Sequence, residues 1–174
     1  VVVLFPENEV TERQRRQMTT LGKNIFPLAV KGKFDDCQAL VKQAFVDSDL
    51  SALSLSSANS INIGRLLPQA VYYFYACSRT APQGEKVVFS VPSGNFGDLM
   101  GGLLAFRMGL PVQKFVVATN ENDEFPSFMK TGIYQPIRPS KNCVSNAMNV
   151  GHPSNLARLF CLYAGHMDET GLVS

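Results

Sequence analysis

Six consecutive residues, Ser93-Gly94-Asn95-Phe96-Gly97-Asp98, follow the apolar run Val87-Val88-Phe89-Ser90-Val91-Pro92 and open a helix-forming stretch. A strand that turns through glycines into a helix start aims several backbone N–H groups at one place. The helix dipole adds partial positive charge there, and the combination binds anions, phosphates above all. Asp98 falls in the first turn, where a carboxylate also suits the dipole. The stretch is neither a Walker loop nor Gly-x-Gly-x-x-Gly. Its position at the carboxyl end of a strand is where ligands gather in open parallel sheets. A plainer reading stays open: a strand-to-helix turn capped by Ser93 or Asn95.

A second polar cluster is Ser57-Ala58-Asn59-Ser60-Ile61-Asn62-Ile63-Gly64-Arg65-Leu66-Leu67-Pro68-Gln69. Asn59 or Ser60 can cap a helix whose apolar stripe is Ile63, Leu66, Leu67, Ala70, Val71 and Phe74. Asn62, Arg65 and Gln69 then share the other face. Amide, hydroxyl and guanidinium groups at one helix start could hold a second anion, with Arg65 giving paired donors. The alternative is a capped helix with a solvated face. Pro68 is expected to kink it, because its ring clashes with the Gly64 carbonyl.

Other chemistry-bearing residues offer less. Asp35 and Asp36 lie in a helix's first turn, where acids are favoured for charge alone. Tyr72-Tyr73-Phe74-Tyr75 reads as packing. Gly101-Gly102 inside a helix costs roughly 1 kcal/mol per glycine against alanine, which close packing against a sheet would justify. The only histidines are His152 and His166, too few to anchor a Ser/His/Asp set. Cys37, Cys77, Cys143 and Cys161 form no Cys-x-x-Cys, so no zinc site is expected and reduced thiols are. A cytoplasmic compartment fits that usage.

The elements that position these residues alternate. Strands are expected at Val1–Phe5, Asn24–Val30, Lys86–Val91 and Lys114–Ala118, with Leu50–Leu55 short and extended. Helices are expected at 12–19 (capped by Thr11), Phe34–Phe45, Ile61–Ser78, Gly97–Met108, 123–130 and Pro153–Ala164. The helix at Phe34–Phe45 carries an apolar stripe of Phe34, Cys37, Leu40, Val41, Ala44 and Phe45. The 131–152 stretch is rich in Pro, Ser and Asn and reads as loop. β-branched, unpatterned strands between helices predict an α/β fold, a three-layer αβα parallel sheet covered on both faces.

The 174 residues can bury roughly 70% of their unfolded surface, and 45% hydrophobic against 17% charged content excludes disorder. A net charge of +2 argues for no nucleic-acid partner and no membrane partner. Arg13, Arg15 and Arg16 read as a solvated helix face. There is no initiator Met, and the chain opens directly in a strand, so residues 1–174 are expected to be a single α/β unit cut from a longer polypeptide. Strand edges left open by such a cut would favour aggregation or pairing into a homodimer.

Taken together, the blocks resemble the threonine synthase family. They are Phe34-Asp35-Asp36-Cys37-Gln38-Ala39-Leu40-Val41-Lys42, Ser57–Asn62, Arg65–Gln69, Val91–Asp98, Ser145-Asn146-Ala147-Met148 and Pro153-Ser154-Asn155. The likeness is greatest to the bacterial and fungal branch. The resemblance implies a larger, two-domain pyridoxal-phosphate (PLP) enzyme of fold type II, incomplete here, that converts O-phosphohomoserine and water to threonine and phosphate. It implies that Ser93, Gly94, Asn95, Phe96, Gly97 and Asp98 hold the PLP phosphate. It also implies that Asn59, Ser60, Asn62 and Arg65 surround the substrate phosphate. Two phosphates need two anion pockets, and the residues offer two helix starts.

Lys33 stands where the family has Thr, and Asn149 where it has Asp. None of the eight lysines is followed by Asp, the context of the family's Schiff-base lysine. The hydroxyl partner of the pyridine nitrogen falls beyond the last residue. The chain is therefore expected to be inactive alone. The rivals are another PLP lyase of the same fold, such as a serine/threonine dehydratase, a non-catalytic phosphate-binding module, and an inert structural piece.

Overall fold

A computed structural model describes residues 1–145, 149–168 and 171–174. The chain divides into two compact units, Val1–Ser56 and Ser57–Ser174. The sequence marks no boundary there: the division falls in the run of Ser and Leu that leads to the Asn59–Arg65 segment.

In the first unit, β1 (Val2–Pro6) pairs in parallel with β2 (Phe26–Val30), Val2 opposite Phe26 and Pro6 opposite Val30. Between them lies α1 (Glu12–Thr19), bounded as expected. Thr11 and Gln14 cap each other reciprocally, which satisfies two of the orphan donors at a helix start. Arg15 and Arg16 both pair with Glu12 on an exposed face. Helix α2 (Phe34–Val46) follows β2 and buries Cys37 and Gln38. Its expected stripe is only partly covered, since Leu40 and Phe45 stay exposed. A two-stranded ribbon is too narrow to cover a stripe that wide. The stretch expected to be extended at Leu50–Leu55 is instead a 3₁₀ helix, Ser48–Leu53. Asp47 accepts from the Asp49 amide at 2.9 Å, and the Ser51 hydroxyl donates to the Ser48 carbonyl at 2.8 Å. Those local bonds favour a turn over a strand.

In the second unit, the helix expected over Ile61–Ser78 is broken at Pro68. It becomes α3 (Ile63–Leu66), a 3₁₀ turn (Leu67–Gln69) and α4 (Ala70–Thr80). The tighter turn changes the phase. The buried face is Leu66, Ala70, Tyr73 and Cys77, while Ile63, Leu67, Val71 and Phe74 of the expected stripe are exposed. Of the aromatic run, Tyr73 alone is buried.

Strand β3 (Val87–Pro92) then pairs in parallel with β4 (Val112–Ala118), Phe89 opposite Phe115 and Pro92 opposite Ala118. Helix α5 (Gly97–Arg107) connects them, and α6 (Glu124–Thr131) and α7 (Leu156–Leu162) follow. Phe89 and Phe115 meet the Tyr73 ring at centroid distances of 4.9 and 6.0 Å, so one face of the pair is covered. The other face is not. Val88 and Val116 are 43% and 45% exposed, where a doubly buried strand was expected. The α/β class and parallel pairing are as anticipated. Among the described residues, the sheet is present as two two-stranded pairs.

The core of the second unit gathers Leu66, Phe96, Leu99, Leu103 and Leu156 around α5. All four cysteines are free: Cys37 and Cys77 are buried, whereas Cys161 is exposed on α7. Among the described residues, no helix is long and apolar enough to cross a membrane.

Candidate functional site

Helix α5 starts without a side-chain cap. Phe96 occupies the cap position in the left-handed region (φ 61°, ψ 15°) and is 2% exposed, its ring against Phe125. Neither residue that could have capped is available. The Ser93 hydroxyl donates back to the Val91 carbonyl at 3.0 Å, and the Ser93 amide donates to Ala118 at 2.7 Å, extending the β3–β4 ladder. Asn95 is buried and turned to other partners. Its Nδ2 donates to the Ser60 hydroxyl at 2.9 Å, and its Oδ1 accepts from the Ser154 amide at 2.5 Å. The first-turn amides of a helix have no partner within the helix, so this start is open to an external acceptor. The capping alternative does not apply here.

The glycines let the neighbours in. A Cβ on Gly97 would stand 3.3 Å from Ser60 Cβ and 3.4 Å from Leu66 Cδ2. One on Gly102 would stand 2.6 Å from Tyr73 Cζ and 2.8 Å from Phe115 Cε1. The Tyr73 hydroxyl donates to the Asp98 main-chain carbonyl at 3.0 Å, locking α4 against the first turn of α5. Burial raises the Asp98 carboxyl above its ordinary value, partly offset by Tyr73. Tyr73 is itself pushed up, by burial first and by the nearby Asp98 charge second.

The two expected anion segments meet at Ser60. Its hydroxyl accepts from Asn95 and donates to Asn59 Oδ1 at 3.2 Å. Asn62 works inside its own turn: Oδ1 accepts from the Gly64 amide at 2.9 Å, and Nδ2 donates to the Ser57 carbonyl at 2.8 Å. Helix α3 has only four residues. A peptide dipole summed over one turn is small, so side chains rather than a helix end must attract an anion there. Arg65 is exposed, and its guanidinium has no hydrogen bond or ion pair among the described residues. Gln69, expected to share its face, instead packs on α5, with Cβ 2.8 Å from the position a Gly101 Cβ would take.

Sequence reasoning assigned no role to three residues that complete the site. Asn155, fully buried, donates Nδ2 to the Asn95 carbonyl at 2.9 Å. Ser154 places its amide on Asn95, and its buried hydroxyl has no partner. Arg158 donates to the carbonyls of Ser60 (2.9 Å) and Ile61 and to Asn155 Oδ1. The block Pro153-Ser154-Asn155 was visible; its link to Asn95, 60 residues away, was not. Asn146, Ala147 and Met148 lie outside the described residues. His152 Nδ1 is bonded to the Tyr134 hydroxyl at 2.8 Å. Asp36 closes the start of α2, accepting from the Lys33 amide at 2.6 Å, as the helix-charge reading expects. Lys33 pairs with Glu9.

No family model matches the chain. Over 161 residues, 91% of its length, it is 50% identical to threonine synthase of Serratia marcescens and covers 37% of that protein. Threonine synthase of Escherichia coli K12 gives the same figures. The fold matches the crystal structure of threonine synthase from Escherichia coli with a TM-score of 0.88 at 48% identity, covering 94% of this chain and 39% of that one. It matches PLP-bound threonine synthase from Brucella melitensis with a TM-score of 0.77 at 43% identity, covering 94% and 35%. The chain thus spans little more than a third of the length of the relatives it matches.

Proposed function

We propose that this chain is the section of a threonine synthase that holds the phosphate of PLP and much of the pocket for the substrate phosphate. The parent would be a cytoplasmic enzyme converting O-phosphohomoserine and water to L-threonine and phosphate. The observation that carries the reading is the uncapped start of α5, built from Ser93–Asp98 within a stretch about half identical to threonine synthases. Three features fit a PLP phosphate there. The first-turn amides of α5 lack internal acceptors. Gly97 leaves space that a Cβ would take against Ser60. The buried Ser154 hydroxyl, beside the loop, lacks a partner.

Bound PLP supplies the electron sink that allows proton loss from the amino-acid carbons. The chain's own residues bind and orient. Main-chain N–H groups of the loop from Gly94 to Asp98 would hold the cofactor phosphate. Backbone donors on a packed helix are rigid, so they fix its position without side-chain reorganisation. Asn59, Ser60, Asn62 and Arg65 would hold the leaving phosphate, with Arg65 swinging in from its exposed position. In the overall reaction a water oxygen bonds to Cβ, the Cγ–O bond to phosphate breaks, and Cγ gains a proton to become the methyl of threonine. The lysine and the pyridine-nitrogen partner would come from outside these 174 residues.

Phosphate release from O-phosphohomoserine with PLP tests the reading. The intact protein carrying this chain is expected to turn over and the 174 residues alone to stay at blank. Release by the 174 residues alone would overturn the division of labour, and none by the intact protein would overturn the activity. Arg65→Ala in the intact protein should raise KM for O-phosphohomoserine and leave PLP affinity unchanged. A dehydratase, with no substrate phosphate to hold, would not show that split.

A further inference from the structure

Arg158 lies three residues after Asn155, which puts both side chains on one face of α7. Its guanidinium makes three bonds. One Nη donates to the Ser60 carbonyl at 2.9 Å and to Asn155 Oδ1, and the other donates to the Ile61 carbonyl. Asn155 passes the constraint on, donating to the Asn95 carbonyl at 2.9 Å. Asn95 closes the ring by donating to the Ser60 hydroxyl at 2.9 Å. The path therefore runs from Arg158 to the 60–61 turn, across to Asn95, and back through Asn155. Every acceptor in it is a neutral oxygen. Among the described residues, no carboxylate pairs with Arg158. A guanidinium stays charged even where burial disfavours it, as here. Its positive charge is thus left without a carboxylate partner between the two segments to which the proposed function assigns phosphates.

We propose that Arg158 is a positioning residue that couples the two phosphate pockets. It fixes the Asn59–Asn62 turn directly and the Ser93–Asp98 loop through Asn155, and its charge favours anions at both. The identity of the two ligands rests on the threonine synthase reading; the linkage between the segments does not. A planar fork suits this place because one rigid group must reach three oxygens at once. A lysine ammonium keeps the charge but not the geometry.

The test uses Arg158→Met and Arg158→Lys in the intact protein, with thermal melting as the fold control. PLP affinity is read by absorbance titration, and KM and kcat for O-phosphohomoserine by phosphate release. With Arg158→Met, the PLP dissociation constant and KM are both expected to rise roughly tenfold or more. The kcat at saturation should change by less than about threefold, because the lost contacts hold ground state and transition state alike. Arg158→Lys should fall between. If Arg158→Met does not fold, Arg158→Lys alone decides. Movement of one constant without the other, or a fall in kcat with both unchanged, overturns the coupling.

Hydrogen exchange of the apo protein separates the two claims. Faster exchange is expected in both variants at amides 59–62 and 94–98. If the wild type does not turn over O-phosphohomoserine but both segments exchange faster in the variants, the substrate reading falls and the linkage stands. If the wild type turns over and only one segment loosens, the linkage falls.

Discussion

Two strand-to-helix turns in this chain are built alike and finished differently. Each leaves a parallel strand and passes a glycine into a helix of more than ten residues. At the start of α2 the chain supplies its own anions. Asp36 accepts from the Lys33 amide, and Glu9 accepts from the Phe34 amide at 3.3 Å while pairing with the Lys33 ammonium. At the start of α5 none of its side chains is bonded to the first-turn amides: Ser93 and Asn95 are spent elsewhere, Phe96 sits at the cap, and the buried Asp98 Oδ1 has no partner. Glycine content does not separate a scaffold turn from a ligand turn. Whether the helix start is already neutralised from within does.

The largest effect that would sharpen this contrast comes from the closeness of α5 to its neighbours. Gly102→Ala places a methyl 2.6 Å from Tyr73 Cζ and 2.8 Å from Phe115 Cε1. The rings must move, and the Tyr73 bond to the Asp98 carbonyl goes with them. Overpacking of this kind, less the gain in helix propensity, should cost about 2 kcal/mol, seen as a lower urea midpoint with unchanged slope. A midpoint equal to wild type would mean α5 does not need that approach. Next comes Gly97→Ala, at the open start itself. Its methyl would meet Ser60 Cβ and Leu66 Cδ2 at 3.3 and 3.4 Å. Stability should hold, while PLP affinity in the intact protein falls roughly tenfold, or about 1.4 kcal/mol. Unchanged affinity would place the phosphate somewhere other than the start of α5.

The closed start should respond the opposite way. Glu9→Gln removes the carboxylate that serves both the Phe34 amide and Lys33. A stability loss of about 1 kcal/mol is expected, with PLP affinity untouched. A loss of PLP affinity equal to that of Gly97→Ala would erase the distinction between the two turns.

The parts of this architecture legible in the sequence are those set by local signals. Thr11 and Gln14 mark a helix start within four residues, and Gly-Asn-Phe-Gly after β3 marks a turn. Illegible parts depended on phase or distance. Around the 3₁₀ turn at Pro68 the buried face keeps Leu66 and Ala70 of the expected stripe but takes Tyr73 and Cys77 in place of Ile63, Leu67, Val71 and Phe74; the run is apolar on both faces, so its pattern does not choose between them. Ser93 and Asn95 look like caps because both are good caps; only their partners at Val91, Ser60 and Ser154 show that they are not. Arg158 has no local feature that tells it from a solvated helix arginine, since its partners at Ser60 and Ile61 are nearly a hundred residues away.

The smallest effect separates the carboxylates at the two starts by pH. Those at α2 accept from main-chain amides. Asp98 at α5 is held above the ordinary carboxylate value by burial, with the Tyr73 hydroxyl only partly offsetting it. The folded state therefore binds the Asp98 proton more tightly than the unfolded state does. Its contribution to stability is fully present below the unfolded value of about 4 and is lost as pH rises through the higher folded value. Asp98→Asn keeps the shape and removes the titration. Its melting temperature should lie closest to that of wild type near pH 4 and gain on it steadily toward pH 7. A bound phosphate at the same helix start would repel the Asp98 carboxylate, so inorganic phosphate should widen the gap at pH 7. A difference that is flat with pH, or a variant that loses ground toward pH 7, would mean that Asp98 acts as an ordinary first-turn acid. The start of α5 would then be partly closed from within, as α2 is.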